Sequence, residues 1–436
     1  MGTYVPNAGF LCYNQVMKRT IFHVDVNSAF LSWTAVKRLK EDPEALDLRQ
    51  VPSIIGGREG STKGIVSAKS IPAKKYGIVT GEPVISAMKK CPNLIIAEID
   101  FQTYREYSHA MMEIFHEYTP LVQQASIDEA YLDFTGMEQI YQDLETEEWK
   151  FPLSIAYALK DRIYRELGFT VNIGVSENKL LAKMASDFQK PNKVHTLYLD
   201  EVPTKMWKLP IGDLFGCGKR SAEKLRSVGI LTIGDAANTD LSVLQSFLGE
   251  KAGAYIYRSA NGISDSPVKS GRDAAKSYSN ETTFSPDITA EDFERRAPEI
   301  VRWLSESVGR RIRRDQIYVN TIDVSVKTNA FKRRSRQKKL SDATDCTAVI
   351  EEEAMKMLRE LCMGQHGVLS DGTGIRLIGV GGSGIEDGSY RQMNLFDLMD
   401  TSESKSSSKS SSKLDQMVDD LEKKFGRGIV QKGGDL

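Results

Sequence analysis

The sequence predicts an α+β protein of several domains, the first of them built on a split βαβ sheet. Three observations carry that expectation. The chain has 436 residues, room for about three domains at ~100–200 residues each. Between residues 20 and 188 the apolar patterning changes period in the order β-α-β-β-α-β. Its charge is unevenly spread: 58 Lys and Arg against 59 Asp and Glu leave a net charge of −1, yet dense basic clusters lie in the C-terminal half.

The elements follow in order. Residues 1–17 are weakly patterned and read as a leader; Met17-Lys18-Arg19-Thr20 runs straight into the first strand, so Met17 is an equal candidate for the start. Residues 20–26 read as a buried strand and 28–40 as a helix with Ser28 as its N-cap. Residues 50–80, rich in Gly, Lys and β-branched side chains, predict short strands and turns. A helix spans 101–118 and stops before Pro120. Residues 122–135 read as a strand hairpin, and a helix near 152–167 ends at Gly168. Phe169 to Val175 alternates as a strand, after which Ser176 reads as the cap of a helix reaching about Phe188.

Residues 200–262 predict small helices. Among them Leu209-Pro210-Ile211-Gly212-Asp213-Leu214-Phe215-Gly216-Cys217-Gly218-Lys219 reads as a helix-hairpin-helix. Gly216, Gly218 and Lys219 would offer backbone N–H groups and a cation to a DNA phosphate; read alone, Gly-x-Gly is an ordinary tight turn. Residues 270–383 form another α/β unit with two basic clusters, Arg310-Arg311-Ile312-Arg313-Arg314 and Lys332 to Lys339. A charge run is usually a solvated face, but segregation this strong favours a phosphate-tracking surface that includes Lys332, Arg333, Arg334 and Arg336. Beyond Gly384 the composition shifts: Gln392-Met393-Asn394-Leu395-Phe396 precedes a serine-lysine tract, Ser402 to Lys413, read as low-complexity linker, and Leu414 to Phe425 has the pattern of a short amphipathic helix.

The chemistry sits at two places. Asp25 ends the apolar run Ile21-Phe22-His23-Val24-Asp25-Val26-Asn27, and Asp128-Glu129 opens a second apolar segment about a hundred residues later. A carboxylate at the end of a buried strand is costly unless neutralised. The split sheet would bring the first strand and the later hairpin side by side. A pair of divalent ions shared by all three acids would neutralise them; oxygen ligands suit Mg²⁺, and two such ions are apparatus for phosphoryl transfer. Alternation along a regular strand would separate Asp128 from Glu129, so both can serve only if the backbone turns there; otherwise they belong to a capped turn. Five cysteines without Cys-x-x-Cys spacing argue against zinc and a disulfide framework and fit a reducing cytosol. No apolar stretch approaches the ~18 residues of a membrane span.

Taken together, these segments resemble a Y-family, translesion DNA polymerase over roughly residues 18–397. The resemblance rests on Asp25-Val26-Asn27-Ser28-Ala29-Phe30, Lys74-Lys75-Tyr76-Gly77, Ser126-Ile127-Asp128-Glu129-Ala130-Tyr131-Leu132-Asp133, Asn178-Lys179-Leu180-Leu181-Ala182-Lys183, Lys190-Pro191-Asn192 and the helix-hairpin-helix. Asp-Val-Asn and Gly81-Glu82-Pro83 lean towards a UmuC-type branch, the C-terminal region towards polymerase IV.

The resemblance implies a right hand: a palm over 18–27 and 100–190, fingers over 28–99, a helical thumb over 191–264, a little finger over 270–385, and a flexible tail over 386–436. It implies low-fidelity extension of a primer 3′-hydroxyl with dNTPs in DNA damage tolerance, by a cytoplasmic, monomeric enzyme working at the nucleoid. Asp25, Asp128 and Glu129 match the family's catalytic carboxylates, with the Val26 carbonyl as backbone ligand to two Mg²⁺. Phe30 matches the steric gate against a ribose 2′-hydroxyl, its other reading being a core residue of the first helix. Lys74 and Lys183 match triphosphate-holding residues, with Lys75 beside them. Gln392, Leu395 and Phe396 resemble the peptide that grips the bacterial sliding clamp (beta subunit); alternatively the segment packs on the little finger. Three departures stand out: Asn27 replaces a second acid, Ile71 a tyrosine and Lys74 an arginine. The last exchanges a bidentate clamp for a point charge. Two rival classes remain, a catalytically silent DNA- and clamp-binding protein and a nucleotidyl cyclase, which would need neither the hairpin nor the basic domain.

Overall fold

The structure, a computed structural model, describes residues 19–57, 64–271, 273–387, 404–426 and 429. It divides into two units, 1–272 and 273–436, each treated by itself.

The first unit is organised by a five-stranded sheet. Its strands are β1 (Ile21–Val26), β5 (Val122–Gln124), β6 (Glu129–Asp133), β7 (Val171–Ser176) and β8 (Val194–Thr196), in the order β5-β6-β1-β7-β8. β1 is antiparallel to both β6 and β7, with Asp25 opposite Glu129 on one side and Asn172 on the other. The central strand alternates. Phe22, Val24 and Val26 enter a core shared with helices α1 (Ala29–Glu41), α4 (Phe101–Tyr118) and α5 (Leu153–Leu167). Ile21, His23 and Asp25 point to the other side, where α6 (Lys179–Ser186) lies. Gly174 lets α6 approach β7: a Cβ there would stand 1.9 Å from the Ala182 carbonyl oxygen.

A second layer holds a three-stranded sheet, β3-β2-β4 (Ala68–Lys69, Ser53–Ile55, Ile95–Ala97), in which β2 and β4 are parallel. Helices α2 (Ile71–Lys75) and α3 (Val84–Lys90) complete it around Ile54, Val66, Ile78 and Val84. From residue 199 to 260 the chain is helical, ending in α7 (Lys219–Arg226), α8 (Ile233–Ala237), α9 (Leu241–Leu248) and α10 (Glu250–Ala260).

The second unit repeats the split βαβ plan: β9 (Ser277–Ile288), α11 (Phe293–Arg314), β10 (Tyr318–Thr328), β11 (Arg333–Thr344), α12 (Thr347–Cys362), β12 (Ile375–Glu386). The strands order β11-β10-β12-β9, all antiparallel. Ile322, Val324 and Val326 of β10 meet Val301, Leu304 and Val308 of α11 and Ile350 and Leu358 of α12. Among the described residues, no helix of this core lies on the opposite face of the sheet. A last helix, α13 (Ser404–Phe425), docks on this unit.

Three expectations change. Ser28 does flank the N-terminus of α1, but it is left-handed (φ 51°) and its side chain makes no capping bond; Ser32 Oγ instead donates to the Asn27 carbonyl at 2.6 Å. Ser176 ends β7, and the cap of α6 is Asn178, whose Oδ1 accepts from the Leu181 N–H at 2.9 Å. The serine-lysine tract is helical from Ser404, so part of the expected flexible tail is ordered. The reason is ionic. Arg313, with a side chain 5% exposed, donates to Asp419 at 2.6 Å and Asp415 at 3.2 Å, and Arg310 reaches Glu422 at 3.0 Å. The basic cluster at 310–314 thus partly anchors α13 instead of forming one phosphate-tracking surface.

Candidate active site

The acids are assembled by register. Asp25 and Glu129 are cross-strand partners, so their side chains leave the same face of the sheet. The Val26 N–H donates to the Asp128 carbonyl at 3.1 Å, which sets the Val26 peptide beside Asp128. Between β5 and β6 the chain turns, with the Ala125 and Ser126 N–H groups both donating to the Glu129 carbonyl. That turn meets the condition under which Asp128 and Glu129 can work together. Asp128 feels both neighbours: burial pushes its carboxyl up, a hydrogen bond from Ser126 (2.6 Å) opposes this, and the charges of Asp25 and Glu129 push up again.

Two lysines enter the cluster. Lys183 of α6 lies 2.7 Å from Glu129 Oε1, 3.3 Å from Asp187 Oδ2 and 3.5 Å from Asp25 Oδ2. Lys190 lies 2.5 Å from Asp25 Oδ2 and 2.8 Å from Asp187 Oδ1. Burial alone would lower both ammonium groups, but Asp25 and the adjoining acids more than reverse it and hold both above the ordinary lysine range. Against burial, the Lys183 ammonium at 2.7 Å holds the Glu129 carboxyl below its ordinary range. His23 Nε2 stands 3.7 Å from Glu129 Oε2, too far for a hydrogen bond, so Lys183 is the close partner. Burial lowers the pKa of His23 and favours the neutral ring. Ser186 Oγ donates to the Lys183 carbonyl at 2.8 Å, so His23 Nδ1–H is the donor in its 2.8 Å contact with Ser186 Oγ.

Sequence reasoning gave no role to Lys190 or Asp187 and left Asn27 only near the metals. Asn27 is buried and its amide is fully used. Nδ2 donates to Asn172 Oδ1 at 3.0 Å, while Oδ1 accepts from Thr170 Oγ1 and the Asn192 N–H, both at 2.9 Å. It ties the Lys190-Pro191-Asn192 turn to β1 and so aims Lys190 at Asp25. The motif itself was the signal; its partner across 165 residues was not visible.

The remaining candidates are placed as follows. Phe30, half-buried on α1, stacks on Tyr104 (4.4 Å, 7°) beside Trp33 and Phe101. Lys74 and Lys75 are exposed on α2. Gly216 is left-handed (φ 84°), and a Cβ there would meet the Tyr255 ring at 2.4 Å. Gly218 precedes α7, and Lys219 is exposed with Glu223 4.0 Å away. The basic strand divides: Arg334 and Arg336 pair with Val326 and Val324 and so face the helices, whereas Arg333 pairs with Lys327 on the open face. Arg336 meets Glu360 at 3.1 Å, Lys338 meets Glu353 at 2.8 Å and Arg333 meets Glu281 at 2.5 Å. Lys332 precedes β11 at the hairpin. Gln392, Leu395 and Phe396 lie outside the described residues.

Among the described residues no three His, Cys, Asp or Glu side chains are arranged to hold a metal ion, because lysines lie against Asp25 and Glu129. The donor set nevertheless fits a hard cation. It is all oxygen, and burial, with the charges of Asp25 and Glu129 beside it, raises the pKa of Asp128.

Comparison with known proteins gives the family. Residues 24–187 match the impB/mucB/samB family, residues 275–395 its C-terminal domain, and residues 212–264 the thumb domain of DNA polymerase-iota. DNA polymerase IV of Clostridium acetobutylicum is 42% identical over 95% of this chain and 98% of its own length. DNA polymerase IV 1 of Bacillus subtilis is 33% identical over 96% of this chain and 93% of its own. A solved Y-family DNA polymerase chimera shares the fold, with TM-score 0.67 and 24% identity over 84% of this chain and 99% of that one. With its carboxylates on adjoining strands, its helical thumb segment and relatives matched along nearly their whole length, the chain belongs to the Y family of DNA polymerases, enzymes that carry out DNA-directed DNA synthesis.

Proposed function

We propose that this chain extends primers on damaged templates through Asp25, Asp128 and Glu129, with two Mg²⁺ as cofactor and dNTPs as substrate. The observation that carries the reading is the pairing of Asp25 with Glu129 across β1 and β6, with the Asp128 backbone bonded to Val26 beside them. The carboxylates of Asp25, Asp128 and Glu129 and the Val26 carbonyl would hold the metal, whose chemistry is to acidify the primer 3′-hydroxyl and stabilise the leaving pyrophosphate. The protein's own groups do the rest. Lys183 and Lys190 pair with Asp25 and Glu129 and cluster ammonium groups beside a site for a polyanionic triphosphate. Lys74 and Lys75, solvated on α2, would add charge to the triphosphate. Phe30, fixed by its stack on Tyr104, would present a rigid edge to the sugar C2′. Neutral His23 contributes bulk and tautomer order without adding a charge.

Primer-template DNA would be held by the hairpin at Gly216, Gly218 and Lys219 and by the open face of the second sheet. The chain would act as a monomer in the cytoplasm, recruited to a sliding clamp through Gln392, Leu395 and Phe396. No helix among the described residues is long and apolar enough to cross a membrane. Primer extension on a defined template, with Mg²⁺ and dNTPs, tests the reading. The parent should extend. Asp128→Asn should bind the same DNA and extend nothing. Extension by the variant at the parent's rate would remove the carboxylates from the chemistry.

A further inference from the structure

The hairpin between β10 and β11 holds a residue that does not suit its place. Its loop is Asn329-Ala330-Phe331: the Phe331 N–H donates to the Thr328 carbonyl at 2.9 Å and the Thr328 N–H to the Lys332 carbonyl at 2.9 Å. A three-residue loop of this kind needs its last residue left-handed, a position that favours glycine. Phe331 occupies it at φ 60°. For a bulky side chain this is an outlier, and such strain persists only where the surroundings impose it.

Nor does packing account for the ring. Phe331 is 63% exposed and belongs to no hydrophobic cluster among the described residues. Its neighbours are cations. The Lys327 ammonium stands 5.1 Å and the Arg376 guanidinium 5.3 Å from the ring centre. Among the described residues neither has an ion-pair partner, unlike Arg333, Arg336 and Lys338 of the adjoining strand. The strained turn therefore presents an aromatic face to water inside a patch of uncommitted positive charge. Those are the two parts of a platform for single-stranded nucleic acid: a ring on which any base stacks, and cations for the phosphates on either side.

We propose that Phe331 is a base-stacking residue, holding an unpaired nucleobase of single-stranded DNA while Lys327 and Arg376 take the adjoining phosphates. This deepens the polymerase reading and rests on it. A residue kept for binding at the expense of its own turn makes a distinctive demand. Phe331→Asn, which tolerates the left-handed backbone, should fold at least as well as the parent and bind worse.

The full-length chain is titrated by fluorescence anisotropy with a labelled single-stranded oligonucleotide and with one of equal length whose central residues are abasic. The parent should prefer the oligonucleotide with bases by roughly 5- to 100-fold, the range expected of one stacked base. Phe331→Asn should remove most of that preference, with a melting temperature no lower than the parent's, and Phe331→Trp should keep it. Equal preference in parent and Phe331→Asn would overturn the proposal. So would a Phe331→Asn chain that melts earlier and binds both oligonucleotides equally poorly, since the ring would then be a packing residue. A parent that binds neither oligonucleotide, nor primer-template DNA, would instead overturn the polymerase reading.

Discussion

Replacing Lys183 by Met tests the electrostatics of the acid cluster directly. The ammonium is 11% exposed and lies 2.7 Å from Glu129, 3.3 Å from Asp187 and 3.5 Å from Asp25. Lys190 would still neutralise Asp25 and Asp187, at 2.5 and 2.8 Å, so the loss concentrates on Glu129. Removing one partner of a buried pair costs about 3–5 kcal/mol. Glu129 keeps 28% of its side chain in water, and we expect about 2–3 kcal/mol in the metal-free protein at pH 7. Lys183 holds the Glu129 carboxyl below its ordinary 4.5 in the fold. Its stabilisation is therefore present above that ordinary value and lost as pH falls below it. In Lys183→Met that carboxyl returns towards its ordinary range, so the gap between parent and variant should narrow on acidification, by about 1 kcal/mol between pH 7 and pH 4. Native-state hydrogen exchange of the β1 and β6 amides, in chelator, isolates this sheet from the second unit. A variant within 0.5 kcal/mol of the parent at pH 7, on the ~1 kcal/mol scale of ordinary substitutions, or a gap that does not change with pH, would refute the reasoning.

Phe30→Ala should lower discrimination against ribonucleotides by roughly 10- to 200-fold, the scale of a steric pocket, read as the ratio of incorporation efficiencies; an unchanged ratio would leave the ring a core residue stacked on Tyr104. Replacing Lys327 and Lys339 of the open face by Gln should reduce the salt slope of duplex binding by about 0.9 per lost contact. Arg336→Gln with Lys338→Gln should leave that slope alone, because Glu360 and Glu353 already neutralise them. Arg313→Ala should undock α13 by about 3 kcal/mol, seen as faster proteolytic cleavage within 404–425 while the core of the second unit resists.

The sequence by itself determined the local elements and the identity of the acids. A buried apolar run placed β1 and period-2 alternation β7, Pro120 and Gly168 stopped two helices, and the acid ending the first run, Asp25, marked a carboxylate that needed neutralising. These signals lie within a few residues of their effects. The motifs that resembled the Y family likewise sufficed to identify it. Tertiary structure decided which charges are spoken for. Lys332 to Lys339 reads as one basic run, but the two-residue period of a strand sends Arg336 to Glu360 of α12 and Arg333 to Glu281 on the open face. Arg310 and Arg313 read as DNA contacts until α13, about a hundred residues later, supplies Asp415, Asp419 and Glu422. Asn27 read as a lost acid; its role in holding the Lys190 turn requires Asn192 to arrive from across the sheet. An ion pair or hydrogen bond depends on atoms a few ångströms apart, and the chain separation of those atoms, often above a hundred residues, leaves no trace in local pattern.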